Sequence, residues 1–426
     1  MKKALFLTIF FLCASMAFAQ QAYIEVTAPG NRALQLAIAP PVALAGSADT
    51  KIAGELAELF RFDMTLAGPF TVQEARISEG KSGIKPGDFD FAPWRSTGAD
   101  LLLKSGYTVS GTTLTLECRL YDLARGSELT AKRYTGELKE MRRMAHTFSD
   151  EIMHAITGEK GPFNSKIAFV STATGNKEIN LMDYDGFNNQ KLTANRSINI
   201  IPDFSPSGRE IIYTSYKSGN PDLYRRELFS GAEARISGSR GINIGGAWAP
   251  DGNRIALASS KDGHSQIYLI TRDGKQLARL TRNSAIDISP AWSPDGSRLA
   301  FVSDRLGKPQ LFIMDADGKN VRRLTTSGAY NVGPRWSPKG DRIVYCRQQG
   351  NGFQIYVINP DGSGDTQLTS EGSNEHPRWA PDGRFIAFSS KRSGREALYI
   401  MRADGTGQTK VSRGKGKESH PAWTRW

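Results

Sequence analysis

From about residue 166 onward the chain repeats one alternation of apolar and polar positions. The stretch Ala291–Thr325 shows the unit: four short runs of strand character, one ending at Trp292 and the others at Leu299–Ser303, Leu311–Asp315 and Val321–Leu324. Turn chemistry separates them. Pro294-Asp295-Gly296 joins a fixed φ, a side chain that bonds its own backbone and a residue free to take positive φ, and Asp317-Gly318 serves the second hairpin. No helix-period segment intervenes, so one copy predicts a four-stranded antiparallel meander.

The turn recurs at Ser205-Pro206-Ser207-Gly208, Ala249-Pro250-Asp251-Gly252, Ser293–Gly296, Ser337-Pro338-Lys339-Gly340 and Ala380-Pro381-Asp382-Gly383, its glycines 44, 44, 44 and 43 residues apart. A period of that length with four strands per unit marks propeller blades. Six second strands begin at Ile167, Ile211, Ile255, Leu299, Ile343 and Ile386, which predicts six blades. The first copy has no inner strand before Lys166, and Ser419–Trp423 is an inner strand with no blade after it. The C-terminal strand is therefore expected to complete the first blade, which removes two open sheet edges. An aromatic holds the same place in each inner strand (Phe204, Trp248, Trp292, Trp336, Trp379 and Trp423) and is expected to pack between blades.

Ahead of the repeat the pattern changes. Residues 1–19 read as a signal peptide: Lys2 and Lys3, an apolar run Ala4–Leu12, and Ala17-Phe18-Ala19 before Gln20. The run is too short to span a bilayer. Residues 20–160 mix helix and strand signals. Tyr23–Val26 reads as a strand or a loose tail; Leu34–Ala39, Phe70–Val72 and Leu101–Lys104 read as strands, and Gly106–Glu117 and Arg119–Tyr134 as alternating stretches turning at Gly111 and Gly126. Helices are expected from Asp49/Thr50 to about Leu66 and from about Lys139 to Ile156. The prediction is a small N-terminal α/β domain over 20–160, a Gly158–Asn164 hinge, and an all-β six-bladed propeller over 161–426 closed by the C-terminal strand.

Charge changes the picture little. The net +12 falls to +10 once Lys2 and Lys3 are removed, which favours acidic partners, but an exported chain rarely meets nucleic acid and none is expected. The mature chain keeps Cys118 and Cys346, in different domains, so the propeller is expected to hold by packing.

Candidate chemistry gathers before the inner strands. Three places ahead of each proline, or its equivalent, stand Asn199, Asn243, Asp287, Asn331, Asn374 and Glu418, and one place earlier stand the apolar Ile198, Ile242, Ile286 and Tyr330. Blade topology brings these positions to the channel mouth, where an apolar rim beside a polar ring suits protein docking; equally, the amides can simply bond the loop backbone. His376 and His420, near Glu375 and Glu418, admit either a metal site or loop hydrogen bonds. Asp183-x-Asp185-Gly186 and Asp315-x-Asp317-Gly318 begin like calcium loops but lack the later ligands, so hairpin turns are expected. Gly-x-Ser-x-Gly, His-Glu-x-x-His, a Walker loop and Cys-x-x-Cys are all absent.

The order of signal peptide, small α/β domain, Ile156-Thr157-Gly158-Glu159-Lys160-Gly161, Lys166–Val170 and six WSPDG-type blades resembles the TolB family, periplasmic components of the Tol-Pal envelope system. The resemblance implies a non-enzymatic, monomeric scaffold without cofactor, reaching the membrane only through its partners and supporting outer-membrane integrity and constriction at division. It implies docking of the lipoprotein Pal at the mouth, through Asn199, Ile242, Asn243, Asp287, Ser289, Asn331, His376, Glu418 and His420. It also implies TolA binding through Tyr23-Ile24-Glu25-Val26, a stretch able to add as an edge strand. Two alternatives stand beside it. A propeller-gated peptidase needs a hydrolase domain after the sixth blade, where the chain stops. An exported hydrolase or lactonase would work inside the channel, with calcium; calcium weakly held among Asp287 and Glu418 would not decide the matter.

Overall fold

The computed structural model describes residues 32–73, 77 and 83–424. The expected signal peptide and the Tyr23–Val26 segment lie outside the described residues.

The N-terminal sheet has the order β3-β1-β4-β5-β6, with β1 Leu34–Ile38, β2 Val42–Ala43, β3 Phe70–Gln73, β4 Leu101–Ser110, β5 Thr113–Asp122 and β6 Ser127–Glu137; β2 pairs with β4. Strand β1 runs parallel to both β3 and β4, whereas β4, β5 and β6 form antiparallel hairpins turning at Gly111 and Gly126. Helix α1, Thr50–Ala67, starts where the Asp49 carboxylate accepts from the Lys51 and Ile52 amides at 2.9 and 3.2 Å. The short helix α2 spans Phe91–Arg95, and α3 spans Met141–Thr157, after a 3-10 turn at Leu138–Glu140, and ends on Gly158 in the left-handed region. Helices α1 and α3 cover one face of the sheet through Leu56, Phe60, Phe148 and Ile152; Phe89 and Trp94 cover the other with Leu102 and Tyr121.

Two features differ from the sequence reading. Leu101–Lys104 and the stretch after Gly106 are a single ten-residue strand. Gly106 does not break it: there the β2 segment crosses so closely that a Cβ would lie 2.7 Å from the Leu44 side chain. The helix α2 also went unforeseen, because five residues around Pro93 carry no period; its start is fixed locally by Asp90, which accepts from the Ala92 amide at 3.0 Å.

The propeller has six four-stranded sheets. We number the blade containing Lys166–Ser171 as blade 1 and those whose inner strands begin at Asn199, Asn243, Asp287, Asn331 and Asn374 as blades 2 to 6. The inner strand of blade 1 is Glu418–Thr424, which pairs antiparallel with Lys166–Ser171 (Trp423 opposite Ile167), so the ring closes as the complementary defects required. Outer strands are short; four of them have two residues and carry Lys, Arg, Gln or Thr. Short, polar edges of this kind resist pairing with other chains. The inner-strand aromatics are all buried, and the rings of Trp292, Trp336 and Trp379 each take an arginine of the preceding blade (Arg254, Arg298 and Arg342) at 5.0–5.2 Å. The Cys118 and Cys346 thiols are both free and buried.

Residues from Ala33 onward form one compact unit. Its largest apolar cluster runs from α1 and α3 into blades 1 and 6 through Phe169, Tyr184, Phe385 and Leu398. A buried polar knot sits beside it: His146 Nδ1 meets Asp63 at 2.9 Å, its Nε2 meets Asp185 at 3.2 Å, Tyr184 donates to Asp63, and Arg142 pairs with Asp185. The expected hinge is fastened. Asp150 accepts from the Phe163 amide at 3.1 Å and from Asn164 at 2.9 Å, Phe163 is buried, and Trp423 of the closing strand donates to Ser165 at 2.6 Å. Arg402 reaches the Thr65 and Leu66 carbonyls, and Arg384 reaches Thr157 and Glu159. Asp185 and Arg384 lie in the turns that close hairpins at one end of the blades, so the α/β domain sits against that end.

Candidate functional site: the propeller mouth and channel

The opposite end is built from the loops that enter the inner strands and from the hairpins joining second to third strands. The register places both together: Asp287, which opens an inner strand, lies opposite Ser303, which closes a second strand. Each inner strand carries a bulge just inside the mouth, where its register slips by one residue. The bulge residue has positive φ in all six blades: Ile201, Gly245, Ser289, Gly333, His376 and His420, at φ 50–65°. For the four that are not glycine this costs roughly 1–3 kcal/mol each, most of all for the β-branched Ile201. It bends the strand, and Ile201, Ser289, Gly333, His376 and His420 face the channel.

The six residues expected to form a polar ring are buried, and the asparagines among them tie their inner strand to the preceding blade. Asn331 donates to Gln310 at 2.8 Å and to the Ser327 carbonyl at 2.9 Å while accepting from Arg347 at 3.0 Å. Asn374 repeats this with Gln354, Glu371 and Arg392. Asn199 donates to Glu178 and Asn195, Asn243 accepts from Ser237 and Ser259, and Asp287 accepts from Asn283 and Arg305. Glu418 is buried with one carboxylate oxygen unpartnered, and burial raises its pKa. Thr325 and Thr369, at the ends of their outer strands, complete the brace by donating to the same glutamines. That part was missed, although the Leu-Thr pairs at 192, 280, 324 and 368 share the period of the turns. These side chains therefore set the shape of the mouth from beneath.

Among exposed charged residues such as Lys217, Arg282, Lys308 and Lys391, the mouth also exposes apolar ones. Ile198, Ile286 and Leu306 are 44%, 46% and 60% exposed, with Tyr216 and Tyr330 exposed beside them. Ile242 is half-buried, its amide donating to Ser260 at 3.0 Å. Leu306 and Tyr216, on second-to-third-strand hairpins, enlarge the rim beyond the positions singled out from the sequence.

Below the rim, Ser289, His376 and His420 line the channel. The two imidazoles stack at 3.6 Å between centroids, and each bonds a serine through Nδ1 at 3.0 Å: His376 to Ser389, His420 to Ser419. Burial first, then the charges of Arg335 and other nearby cations, pushes His376 down to about 3. His420 is pushed down in the same way by burial, by His376 and by those cations, so both rings are neutral at pH 7. Among the described residues, no three His, Cys, Asp or Glu side chains converge as a metal site. Asp287 and Glu418 open inner strands of blades 4 and 1, across the ring from each other, each turned into its own loop. Asp183–Gly186 and Asp315–Gly318 are hairpin turns closed by amide–carbonyl bonds at 2.9 Å, as expected.

The molecule is thus a two-domain β-propeller protein, capped by an α/β domain at one end and open at the other through an apolar-rimmed mouth. Residues 153–426 match the TolB beta propeller domain family and residues 22–129 the TolB amino-terminal domain. The chain belongs to the TolB propeller family. It is 64% identical over 199 residues to the Tol-Pal system protein TolB of Geobacter metallireducens, an alignment covering 47% of this chain and 46% of that protein. It is 62% identical over 191 residues to the Geobacter sulfurreducens protein of that name, covering 45% and 44%. The chain therefore spans about half the length of the curated relatives it matches. The crystal structure of TolB from Acinetobacter baumannii superposes with a TM-score of 0.81 at 24% identity, over 92% of this chain and 96% of that one, and shows the same fold. No helix among the described residues is long and apolar enough to cross a membrane.

Proposed function

We propose that this protein is a non-enzymatic periplasmic scaffold of the Tol-Pal system that docks Pal on the propeller mouth and TolA through Tyr23-Ile24-Glu25-Val26, and so supports outer-membrane integrity and constriction at division. The observation that carries the reading is the asymmetry of the propeller. One end is occupied by the α/β domain, and the other offers a rim of exposed Ile198, Tyr216, Ile286, Leu306 and Tyr330 around a bulged, rigidly braced ring. Apolar residues grouped on a surface, with polar groups satisfied beneath them, are what a protein–protein interface core requires. In this reading Ile242, Ser289, His376 and His420 touch the docked surface. Asn199, Asn243, Asp287, Asn331 and Glu418 contribute by holding the loops in shape.

Calorimetric titration of the mature protein with the soluble Pal domain of the same organism tests the first half. Saturable 1:1 binding is expected, and no binding by the folded protein contradicts it. Titration with the TolA C-terminal domain, with and without residues 20–32, tests the second half. Removal of that segment is expected to abolish TolA binding and leave Pal binding intact.

A further inference from the structure

One layer deeper, the six inner strands hold equivalent positions at Asp203, Ala247, Ala291, Arg335, Arg378 and Ala422. Three alanines leave the centre of the channel to two guanidinium groups and one carboxylate. Arg378, on blade 6, crosses to blade 2, donating to Asp203 at 2.9 Å and to the Pro202 carbonyl at 3.2 Å. The other oxygen of Asp203 accepts from the Trp248 amide at 3.0 Å. That carboxylate is fully used. Among the described residues the Arg335 guanidinium bonds only the Pro334 carbonyl, at 2.9 Å, and has no ion pair. The channel centre therefore carries one positive charge more than it neutralises.

Cavities flank this layer on both sides. Toward the α/β domain, about 450 Å³ is lined by Asp203 and by the rings of Trp336, Trp379 and Trp423 as well as by both arginines. Toward the mouth, about 220 Å³ is lined by Arg335, Arg378, His376, His420 and Ser289, with prolines and apolar groups, and no acidic side chain reaches it. Lys177 adds to the positive potential felt there, whereas Lys391 is paired with Glu375 at 3.2 Å. Burial first, then the charge of Arg378, lowers Arg335 to about 9 against the pull of Asp203, which still leaves it a cation at neutral pH. A desolvated cation without a counter-charge costs several kcal/mol, and a guanidinium presents a planar fork that fits an oxyanion.

We propose that the mouth-side half of the channel is a binding site for a small monovalent oxyanion of the carboxylate class, clamped by the free N–H groups of Arg335 with Arg378 on its flank. The charge excess calls for one negative charge. The volume holds a few heavy atoms and some water, given about 30 Å³ per water molecule, and is too small for a nucleotide. The site shares Ser289, His376 and His420 with the proposed docking surface, but acetate binding is read on the protein alone, so it stands or falls separately from docking.

Saturation-transfer NMR of acetate with the mature protein, in low-salt buffer, tests the proposal. The acetate methyl signal is expected to saturate with concentration, to fall at least fivefold in Arg335→Met and to persist in Arg282→Met, which removes an exposed arginine. In parallel, the melting temperature of the wild type is expected to rise with acetate at fixed ionic strength while that of Arg335→Met does not. In acetate-free buffer Arg335→Met is expected to melt at or above the wild type, because the variant drops an uncompensated, partly buried charge. An absent wild-type signal, or one undiminished in Arg335→Met, overturns the proposal.

Discussion

His146→Leu is the substitution that reports most directly on how the α/β domain is held to the propeller. The imidazole lies between Asp63 of α1 and Asp185 of blade 1, all three buried. Burial alone would push its pKa down, but Asp63 and Asp185 outweigh it and hold the ring up at about 10, so it is a cation at pH 7. Leucine keeps the volume and leaves two buried carboxylates without their shared partner, at a cost of roughly 3–5 kcal/mol. The pH dependence gives a sharper signature. A group whose folded pKa lies above its unfolded value of 6.5 contributes fully below pH 6.5 and loses that contribution as pH rises toward 10, by about 1.4 kcal/mol per pH unit. Asp185 works in the opposite direction. Burial raises it, but His146 and Arg142 pull it down to about 2, so its contribution is present above pH 3.8 and is lost as pH falls through 2. Urea unfolding of wild type and His146→Leu at pH 7 and pH 9.5 reads the difference. The gap is expected to shrink by about 2–3 kcal/mol between those two pH values. A gap under about 1 kcal/mol at pH 7, or one of equal size at both, refutes the reasoning.

Three further outcomes follow from the propeller. Gly318→Ala is expected to destabilise by about 1–3 kcal/mol, since Gly318 has φ 86° and an added Cβ would lie 2.5 Å from the Leu280 carbonyl of the neighbouring blade; an unchanged urea midpoint contradicts it. Trp292→Ala is expected to cost about 3–5 kcal/mol, because the ring fills the seam between blades 3 and 4 beneath Arg254, and urea unfolding measures it. Deletion of residues 419–426 opens blade 1, and loss of a single cooperative melting transition is the expected result; an unaltered melting curve contradicts it.

The fold was legible to different depths in different places. Repeated turns have a local cause: proline, aspartate and glycine at fixed offsets leave few other conformations, so the blade period could be read from Ser205–Gly208 through Ala380–Gly383, and blade number and closure from the six second strands and the inner strand Ser419–Trp423. The buried network could be read only in part. Asn331 announces a polar position at a fixed place in the repeat, but whether its amide faces solvent or Gln310 depends on the third strand of the preceding blade, 21 residues earlier in sequence. The channel centre was less legible still. Arg335 and Arg378 occupy a position filled by alanine in three other blades, and nothing local distinguishes an arginine that points into a channel from one on a surface. Their meaning comes from ring closure, which sets Arg378 against Asp203 across 175 residues of chain.

Calorimetric titration of the soluble Pal domain against surface variants at the two ends of the propeller tests the central claim most directly. Ile286→Asp and Leu306→Asp place a charge on the open rim, while Phe229→Asp places one on an exposed hairpin at the end that carries the α/β domain. The rim variants are expected to weaken Pal binding at least tenfold, about 1.4 kcal/mol, and Phe229→Asp to leave it unchanged. Full affinity in both rim variants, with loss in Phe229→Asp, would move the docking face to the other end and contradict the account.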